Sequence, residues 1–315
     1  MLSTFQAALV PMLTMFCCIL VGLVLKKKNI LPEDSGTVLS RLETYVLCPA
    51  LTLGTFSRNC TMETFGEKYI LLGYSALIVV LSIAIAIPLS KLFVKKGYQQ
   101  GVYRYALAFA NTGFMGNAVV QALFGDEVLF LYMLFCLPVS IGIYTWGISQ
   151  MIPGDSSFRS VLKRVMNPST VAMLIGTVLG LTGLGAQLPD FLSQALTNLG
   201  NCMGPIAMVL TGFIVGGYSM KEMFCQGRVY VASLLRLIVL PSLLCGLLYF
   251  LGADTLTLTL SLIALGMPLG LNTVVFPAAY GGETKTGASM AIISHGLSVV
   301  TIPLMYALLL LLPVR

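Results

Sequence analysis

The chain has 315 residues, of which 57% are hydrophobic and only 10% are charged. Soluble domains carry about 25% charged residues, so this composition excludes an ordinary water-soluble fold. The formal net charge of +6 does not indicate nucleic-acid binding, because the basic residues lie in short clusters between apolar runs and form no basic helix face or arm.

Apolar stretches recur along the chain, each about 20 residues long, which is enough for a helix to cross the ~30 Å hydrocarbon core of a bilayer. The first stretch lacks the basic region that precedes a cleavable signal peptide, so we interpret it as a retained first span. We predict an all-α integral membrane protein with ten spans, at residues 5–25, 36–56, 69–90, 103–125, 127–149, 168–186, 190–216, 228–250, 255–280 and 287–312.

The basic residues are distributed unevenly over the loops between these spans. One set of alternate loops holds thirteen Lys and Arg residues, whereas the other set and the C-terminus hold Arg58, Lys68 and Arg315. Cytoplasmic loops are enriched in Lys and Arg, so the richer side is predicted to be cytoplasmic and both termini extracytoplasmic. The thirteen are Lys26, Lys27, Lys28, Lys91, Lys95, Lys96, Arg104, Arg159, Lys163, Arg164, Lys221, Arg228 and Lys285.

The eight cysteines do not indicate a disulfide framework or a zinc site. Six of them fall inside predicted spans, and no pair has the spacing of metal ligands. We interpret most of them as small buried apolar residues.

The two halves of the chain carry matching motifs at a nearly constant offset. Five spans per half is an odd number, so the second repeat is predicted to cross the membrane upside down, as in many secondary transporters. The repeats are placed at 1–150 and 151–315, and together they form one membrane domain. The matching motifs are Cys48-Pro49-Ala50 with Gly204-Pro205-Ile206, Asn117-Ala118-Val119-Val120 with Asn272-Thr273-Val274-Val275, and Pro88 with Pro241.

Spans 4 and 9 each contain helix breakers near the middle, at 110–117 and 266–273. About ten residues on either side, at 1.5 Å each, place both breaks ~15 Å from the surface, close to the midplane of the bilayer. A broken helix exposes unpaired backbone groups, which are tolerated only beside a cavity or within protein. Its new N-terminus attracts anions.

These breaks predict a site for a small carboxylate, with asparagine amides supplying uncharged donors and acceptors. An alternative interpretation is that the glycines only permit close helix packing and the asparagines cap frayed turns. The predicted substrate-binding residues are Asn111, Gly113, Met115, Gly116, Asn117, Pro268, Gly270 and Asn272.

Other polar residues inside predicted spans include Glu43, Arg41, Arg236 and His295. Glu43 and Arg41 begin span 2, where snorkelling or a local ion pair accounts for both, and a gate or proton relay is the alternative. Arg236 lies mid-span with no acidic residue nearby in sequence, so it pairs with carbonyls or a distant acid, or attracts an anion. His295 is the single histidine; it makes a structural hydrogen bond or, alternatively, couples transport to protons.

At this point the sequence resembles the auxin efflux carrier family, which includes plant auxin exporters and bacterial malate or malonate permeases. The likeness extends over nearly the whole chain, and it depends on the order and spacing of its motifs. The motifs are Val10-Pro11, Lys28-Asn29-Ile30-Leu31-Pro32-Glu33-Asp34-Ser35, Arg41, Leu47-Cys48-Pro49-Ala50-Leu51, Asn111-Thr112, Met115-Gly116, Pro268-Leu269-Gly270-Leu271 and Val275-Phe276.

The resemblance implies two inverted five-helix repeats, a scaffold of spans 1, 2, 6 and 7, and a moving transport domain of spans 3–5 and 8–10. It also implies an elevator mechanism, a homodimer formed through the scaffold, and substrate binding where spans 4 and 9 cross. Asn111 matches the crossover asparagine of the family, and Pro268 matches its crossover proline. The long cytoplasmic loop of plant exporters is lacking, and the break in span 4 has glycines where they also carry prolines. A bacterial-type carrier in the inner membrane is therefore expected.

The sequence thus predicts a secondary transporter that moves a small organic anion, such as malate, malonate or an auxin-like acid, by alternating access. Coupling to protons or sodium is open, and Glu43, Arg236 and His295 are the candidates for coupling or gating. The alternatives are a sodium-coupled organic-anion or bile-acid-type symporter and a membrane sensor that binds its ligand without moving it. The chain lacks the usual motifs of hydrolytic enzymes, and an enzyme is not expected.

Overall fold

A computed structural model describes residues 2–151, 158–274, 277 and 283–311. Every regular element among these residues is a helix or helical turn. The predicted repeat boundary borders the undescribed residues 152–157, and Val275-Phe276 and Arg315 also lie outside the described ranges. The helices of the first half are α1 (Leu2–Lys27), α2 (Ser35–Leu42), α3 (Cys48–Asn59), α4 (Met62–Lys68), α5 (Ile70–Phe93), α6 (Tyr98–Ala108), α7 (Asn117–Phe135) and α8 (Leu137–Gly142).

The second half contains another series of helices, and a short 3₁₀ turn (Leu184–Gln187) precedes the longest of them. The helices are α9 (Phe158–Val165), α10 (Pro168–Leu181), α11 (Asp190–Gly216), α12 (Met220–Phe224), α13 (Gly227–Leu234), α14 (Leu240–Phe250), α15 (Thr255–Gly266) and α16 (Lys285–Leu309). Predicted span 6 is too long by several residues, because Gly183 adopts a left-handed conformation (φ 73°) just after α10 and ends it.

Six helical stretches in the described part of the chain are long and apolar enough to cross a membrane. They are Ala8–Lys27, Ile70–Phe93, Thr112–Phe135, Asp190–Gly216, Gly227–Phe250 and Lys285–Leu309. The remaining predicted spans consist of shorter or more polar helical pieces, so the total of ten stays a prediction. One long stretch is kinked at Gly125, whose φ of 79° and ψ of −174° are not helical. This kink coincides with the predicted boundary between spans 4 and 5.

In the part of the chain that the structure describes, four π-helical turns interrupt the α-helices, at Glu43–Leu47, Thr112–Gly116, Ile143–Gly147 and Leu235–Val239. Two of these turns are followed closely by a proline, Pro49 in α3 and Pro241 in α14. Proline has no N–H and its ring crowds the carbonyl four residues earlier, which accounts for the widened turn before it. Such turns are frequent at functional sites.

The helices fall into two groups, which are joined where α1 and α11 of the first pack against α16 of the second. In one group α1 packs against α11, and α3 packs against both α10 and α11. A Cβ on Gly22 would lie 1.9 Å from the carbonyl oxygen of Val209, and a Cβ on Gly212 would lie 1.8 Å from that of Ile19. Only glycine permits this approach of two backbones, a common device of membrane helices.

The second group contains α5, α6 and α8 from the first half and α13 to α16 from the second half. Within it α5 packs against α6 and α8, and α15 packs against α14 and α16. The break between α6 and α7 and the break that follows α15 come together inside the protein, where the candidate site lies.

Candidate functional site at the helix crossover

Two interrupted helices meet at a backbone contact between the halves of the chain. The N–H of Asn111 donates a hydrogen bond to the carbonyl oxygen of Pro268 over 2.8 Å. Beside it, Ala110 and Leu269 form an isolated antiparallel bridge. All four residues are buried. The sequence prediction that the two breaks face each other agrees with this contact.

The break in span 4 begins slightly earlier than predicted. Helix α6 ends at Ala108, and Phe109 is extended, with φ −125° and ψ 139°. The predicted site residues Gly113 and Gly116 are not in an unwound segment, as the sequence suggested, but in the π-helical turn Thr112–Gly116. The carbonyl of Asn111 accepts from the N–H of Gly116 over 3.0 Å, so the chain resumes a helix directly after the crossover.

The break in span 9 follows from Pro268. Proline disfavours helical geometry in the residue before it, and Met267 is extended, with φ −62° and ψ 150°. The N–H of Leu269 then donates to Oγ of Ser294 over 3.0 Å. A side chain of α16 thereby satisfies a backbone group that the break would otherwise leave unpaired.

Asn111 also contacts the single histidine of the chain. Its Nδ2 lies 3.4 Å from Nε2 of His295, and Nδ1 of His295 lies 2.7 Å from the carbonyl oxygen of Ala291. A carbonyl only accepts, so Nδ1 carries a hydrogen and Nε2 of the neutral ring accepts from the amide. His295 is 1% exposed. The structural hydrogen bond expected for His295 is therefore present, and it holds the crossover asparagine.

The other two predicted asparagines lie on either side of the crossover. Nδ2 of Asn272 donates to the hydroxyl of Tyr105 over 2.8 Å, which fixes the start of the second half of span 9 against α6. Asn117 is partly exposed, and Gly113 on the preceding turn is exposed. The amide of Asn111 is thus buried, whereas Asn272 and Asn117 are half-buried and Gly113 is exposed.

The predicted glycines have different environments. A Cβ on Gly116 would lie 2.1 Å from the hydroxyl of Tyr132, so this glycine permits close packing, as the alternative interpretation held. No atom lies within 4 Å of a Cβ placed on Gly113, and packing does not explain it. Gly270 is buried beside the backbone of Ala110, and Met115 is 2% exposed in the core.

Glu43 is not where the sequence placed it. We expected it to snorkel to the cytoplasmic surface or to pair with Arg41, but its side chain is 0% exposed and Arg41 is exposed. Oε2 of Glu43 lies 3.9 Å from Sγ of Cys48, and Oε1 has no hydrogen-bond partner. The reason is the π-helical turn that begins at Glu43, which packs against α10 and α11.

Arg236 lies in the π-helical turn Leu235–Val239 of the second half and is 2% exposed. Its Nε and Nη1 atoms have no hydrogen-bond partner. Neither ion pair seen in the described residues involves it, since these join Arg58 to Asp126 and Lys285 to Glu222. The pairing with carbonyls or a distant acid that the sequence left open is therefore absent at these two nitrogens.

Sequence reasoning missed Tyr105, Tyr132 and Ser294 as parts of the site. The Tyr132 hydroxyl donates to the carbonyl of Thr112 over 3.3 Å and fills the space beside Gly116. Each of these side chains lies far from its partner in sequence. An indirect signal for Ser294 was available in the sequence, because this residue directly precedes the candidate residue His295.

Comparison with known proteins decides the family. A family model described as "Membrane transport protein" matches residues 7–159 and 152–306. The chain belongs to this family. It is the auxin efflux carrier family that the motifs suggested, so that prediction is confirmed.

Relatives match the chain over almost its whole length. An uncharacterized transporter of Methanocaldococcus jannaschii is 26% identical over 309 residues, covering 94% of this chain and 98% of the relative. An uncharacterized transporter of Methanothermobacter thermautotrophicus is 22% identical over 308 residues, covering 95% and 98%. The uncharacterized transporter YfdV of Escherichia coli is 21% identical over 316 residues, covering 96% and 97%. Family membership and these relatives assign the chain to membrane transport.

Proposed function

We propose that this protein is a secondary transporter that moves a small organic anion across the membrane by alternating access. The observation that carries the proposal is the buried crossover, in which the Asn111 N–H donates to the Pro268 carbonyl over 2.8 Å. Secondary transporters of inverted-repeat architecture place their substrate at such interrupted helices. Membership of a family of membrane transport proteins supports the same conclusion.

The chemistry of the crossover favours an anion. The second half of span 4 starts at the crossover, and the first N–H groups of a helix lack intrahelical acceptors and carry partial positive charge. The open side of this first turn presents Gly113 and Asn117. A carboxylate bound there accepts from backbone N–H groups and from the Asn117 amide, while Asn111 and Asn272 hold the wall behind it.

The two packing groups provide the parts for alternating access. The group with α1, α3, α10 and α11 corresponds to the scaffold spans that the family resemblance implies, and the other group corresponds to the transport spans. Helix α7 packs against helices of both groups, and on the predicted outer side its Asp126 pairs with Arg58 of α3 through partly exposed side chains. Such contacts are weak enough to break and re-form during an elevator movement. Ten spans in two inverted repeats, extracytoplasmic termini and a scaffold-mediated homodimer complete the proposal.

Counterflow in proteoliposomes tests this function. Vesicles containing purified protein are loaded with one unlabelled acid from a panel of mono- and dicarboxylates, and uptake of the labelled acid is followed. We expect at least one carboxylate to accumulate transiently. The variants Asn111→Ala and Asn272→Ala are expected to abolish its uptake. Asn198→Ala is the matched control, because Asn198 is an exposed asparagine on α11 away from the crossover.

Three outcomes are informative. Uptake that is lost in both crossover variants, with unchanged elution from a sizing column, supports transport and the location of the site. Uptake that persists in both variants keeps the transporter but removes the crossover site. Failure of the native protein to move any carboxylate, under any ion gradient, contradicts the proposed function and favours a sensor or a different cargo.

A further inference from the structure

Arg236 is an unusual side chain for the interior of a membrane protein. It is 2% exposed, and its Nε and Nη1 atoms are buried without a hydrogen-bond partner. Arginine stays protonated in proteins, so a full positive charge lies there. A buried charge is costly unless it is paired, and buried arginines are therefore expected to have an anionic partner.

Within the described residues the protein supplies no such partner. The carboxylates of Asp126 and Glu222 are engaged on exposed side chains elsewhere. Glu43 is the other charged residue with a buried side chain, and its π-helical turn packs against α10 and α11 in the other helix group. Half-helices α6 and α15 end at the crossover, and the partial negative charge of helix C-termini offsets only part of the cost of a buried cation.

The position of Arg236 connects it to the crossover. Its π-helical turn packs against α6, α15 and α16, the helices that form the crossover wall. Helix α7, which carries Tyr132, packs against α15 as well. The hydroxyl of Tyr132 in turn contacts the carbonyl of Thr112 and abuts Gly116, at the two ends of the turn that carries Gly113. The charge thus lies behind the turn at which the anion is proposed to bind.

We infer that Arg236 is the counter-charge of the transported anion and that this single buried guanidinium limits the cargo to one net negative charge. The cargo class is a monocarboxylate, or a dicarboxylic acid with one of its carboxyl groups protonated. This inference rests on the proposed function. The positive charge of Arg236 acts through Tyr132 on the turn Thr112–Gly116. Its role is therefore to position the anion and to select its charge.

The size of the cargo charge follows from the charge balance of the buried site. A monoanion beside one guanidinium makes the loaded site neutral, which is the least costly state to carry through a low-dielectric interior. A dianion would leave one uncompensated negative charge, since His295 is engaged with Asn111 and Ala291 through both ring nitrogens. Protonation of one carboxyl group restores neutrality.

Three variants separate a counter-charge from a structural role. Arg236→Met removes the charge but keeps most of the volume, Arg236→Lys keeps the charge, and Arg159→Met removes an exposed arginine as the control. We expect Arg236→Met to unfold at the same temperature as the native protein or higher, because an unpaired buried charge is lost. We expect its counterflow of a monocarboxylate to fall about a hundredfold, with partial recovery in Arg236→Lys and no change in Arg159→Met.

The charge limit is tested with one mono- and one dicarboxylate on the native protein. The pH is lowered through the second pKa of the dicarboxylic acid, which converts the dianion into the monoanion. Counterflow of the dicarboxylic acid, divided by that of the monocarboxylate at the same pH, is expected to rise in proportion to the monoanionic fraction. The inference is overturned if Arg236→Met transports within twofold of the native protein, if it loses stability and transport together, or if the dianion is carried as well as the monoanion. If the native protein moves neither acid, the proposed function itself fails.

Discussion

Nδ2 of Asn111 lies 3.4 Å from Nε2 of His295, which joins the break in one interrupted helix to the last helix of the chain. The distance is at the long end for a hydrogen bond, but both groups are buried and have few alternatives. The polar groups of the crossover therefore depend on one another, and this dependence can be measured.

A double-mutant cycle with Asn111→Ala and His295→Ala is expected to show coupling. Each single variant leaves a buried partner unpaired and lowers the free energy of unfolding by about 1–3 kcal/mol. The double variant should be less destabilised than the sum, by about 0.5–1.5 kcal/mol. Reversible unfolding in detergent gives the values. Asn59→Ala with His295→Ala is the control pair, because Asn59 lies at the C-terminal end of α3, away from the crossover. Additive losses in the test pair would contradict the hydrogen bond.

The glycines of the π-helical turn Thr112–Gly116 give a second prediction. Gly116→Ala places a methyl group 2.1 Å from the hydroxyl of Tyr132, so we expect a loss of about 1–3 kcal/mol from overpacking. Gly113→Ala meets no atom within 4 Å and should be neutral or stabilising by about 0.5–1 kcal/mol, because alanine restricts the unfolded chain. Thermal unfolding compares the two, and equal effects would mean that Tyr132 does not pack there.

The polar contacts around Asp126 give a third prediction. Asp126 pairs with Arg58 and accepts from Gln121, which also donates to Asn201 of α11. The side chains of Arg58 and Asp126 are 38% and 45% exposed, so Asp126→Asn should change global stability by less than about 1 kcal/mol. Amide hydrogen exchange of the part of α7 around Asp126 should nevertheless accelerate, because fewer contacts hold it to α3 and α11. Asp190→Asn is the control, and unchanged exchange in Asp126→Asn would show that these contacts do not restrain the helix.

Glu43 supports a fourth prediction, on coupling. Its carboxyl group is 0% exposed and Oε1 has no partner, so the isosteric neutral amide in Glu43→Gln should be tolerated and change the free energy of unfolding by less than about 1 kcal/mol. If Glu43 carries the coupling proton, this variant keeps counterflow, which needs no net proton movement, but loses uptake driven by a pH gradient. The exposed Glu33→Gln serves as control. Gradient-driven uptake at the native rate in Glu43→Gln would exclude Glu43 from coupling.

The crossover was accessible to sequence reasoning because its signals are local. Pro268 cannot continue a helix, and asparagines and glycines in the middle of an apolar span mark a break. The buried positions of Glu43 and Arg236 were not accessible, because each depends on a π-helical turn that rotates the following residues relative to an ideal helix. No local signal distinguishes such a turn from ordinary helix next to a proline. Tyr105 and Tyr132 join the site only through contacts between distant segments, which a single sequence does not reveal.

The crossover also has a consequence for the order in which the protein is made. The partners of the first break, Pro268, Asn272 and His295, all belong to the second half of the chain. At about 5–20 residues per second, the ribosome reaches Pro268 roughly ten to thirty seconds after Asn111. During that interval the nascent first half waits in or beside the insertion machinery with its backbone at Asn111 lacking the native acceptor. The site is completed only when the final spans are inserted, so a chain that is truncated before them lacks a complete site.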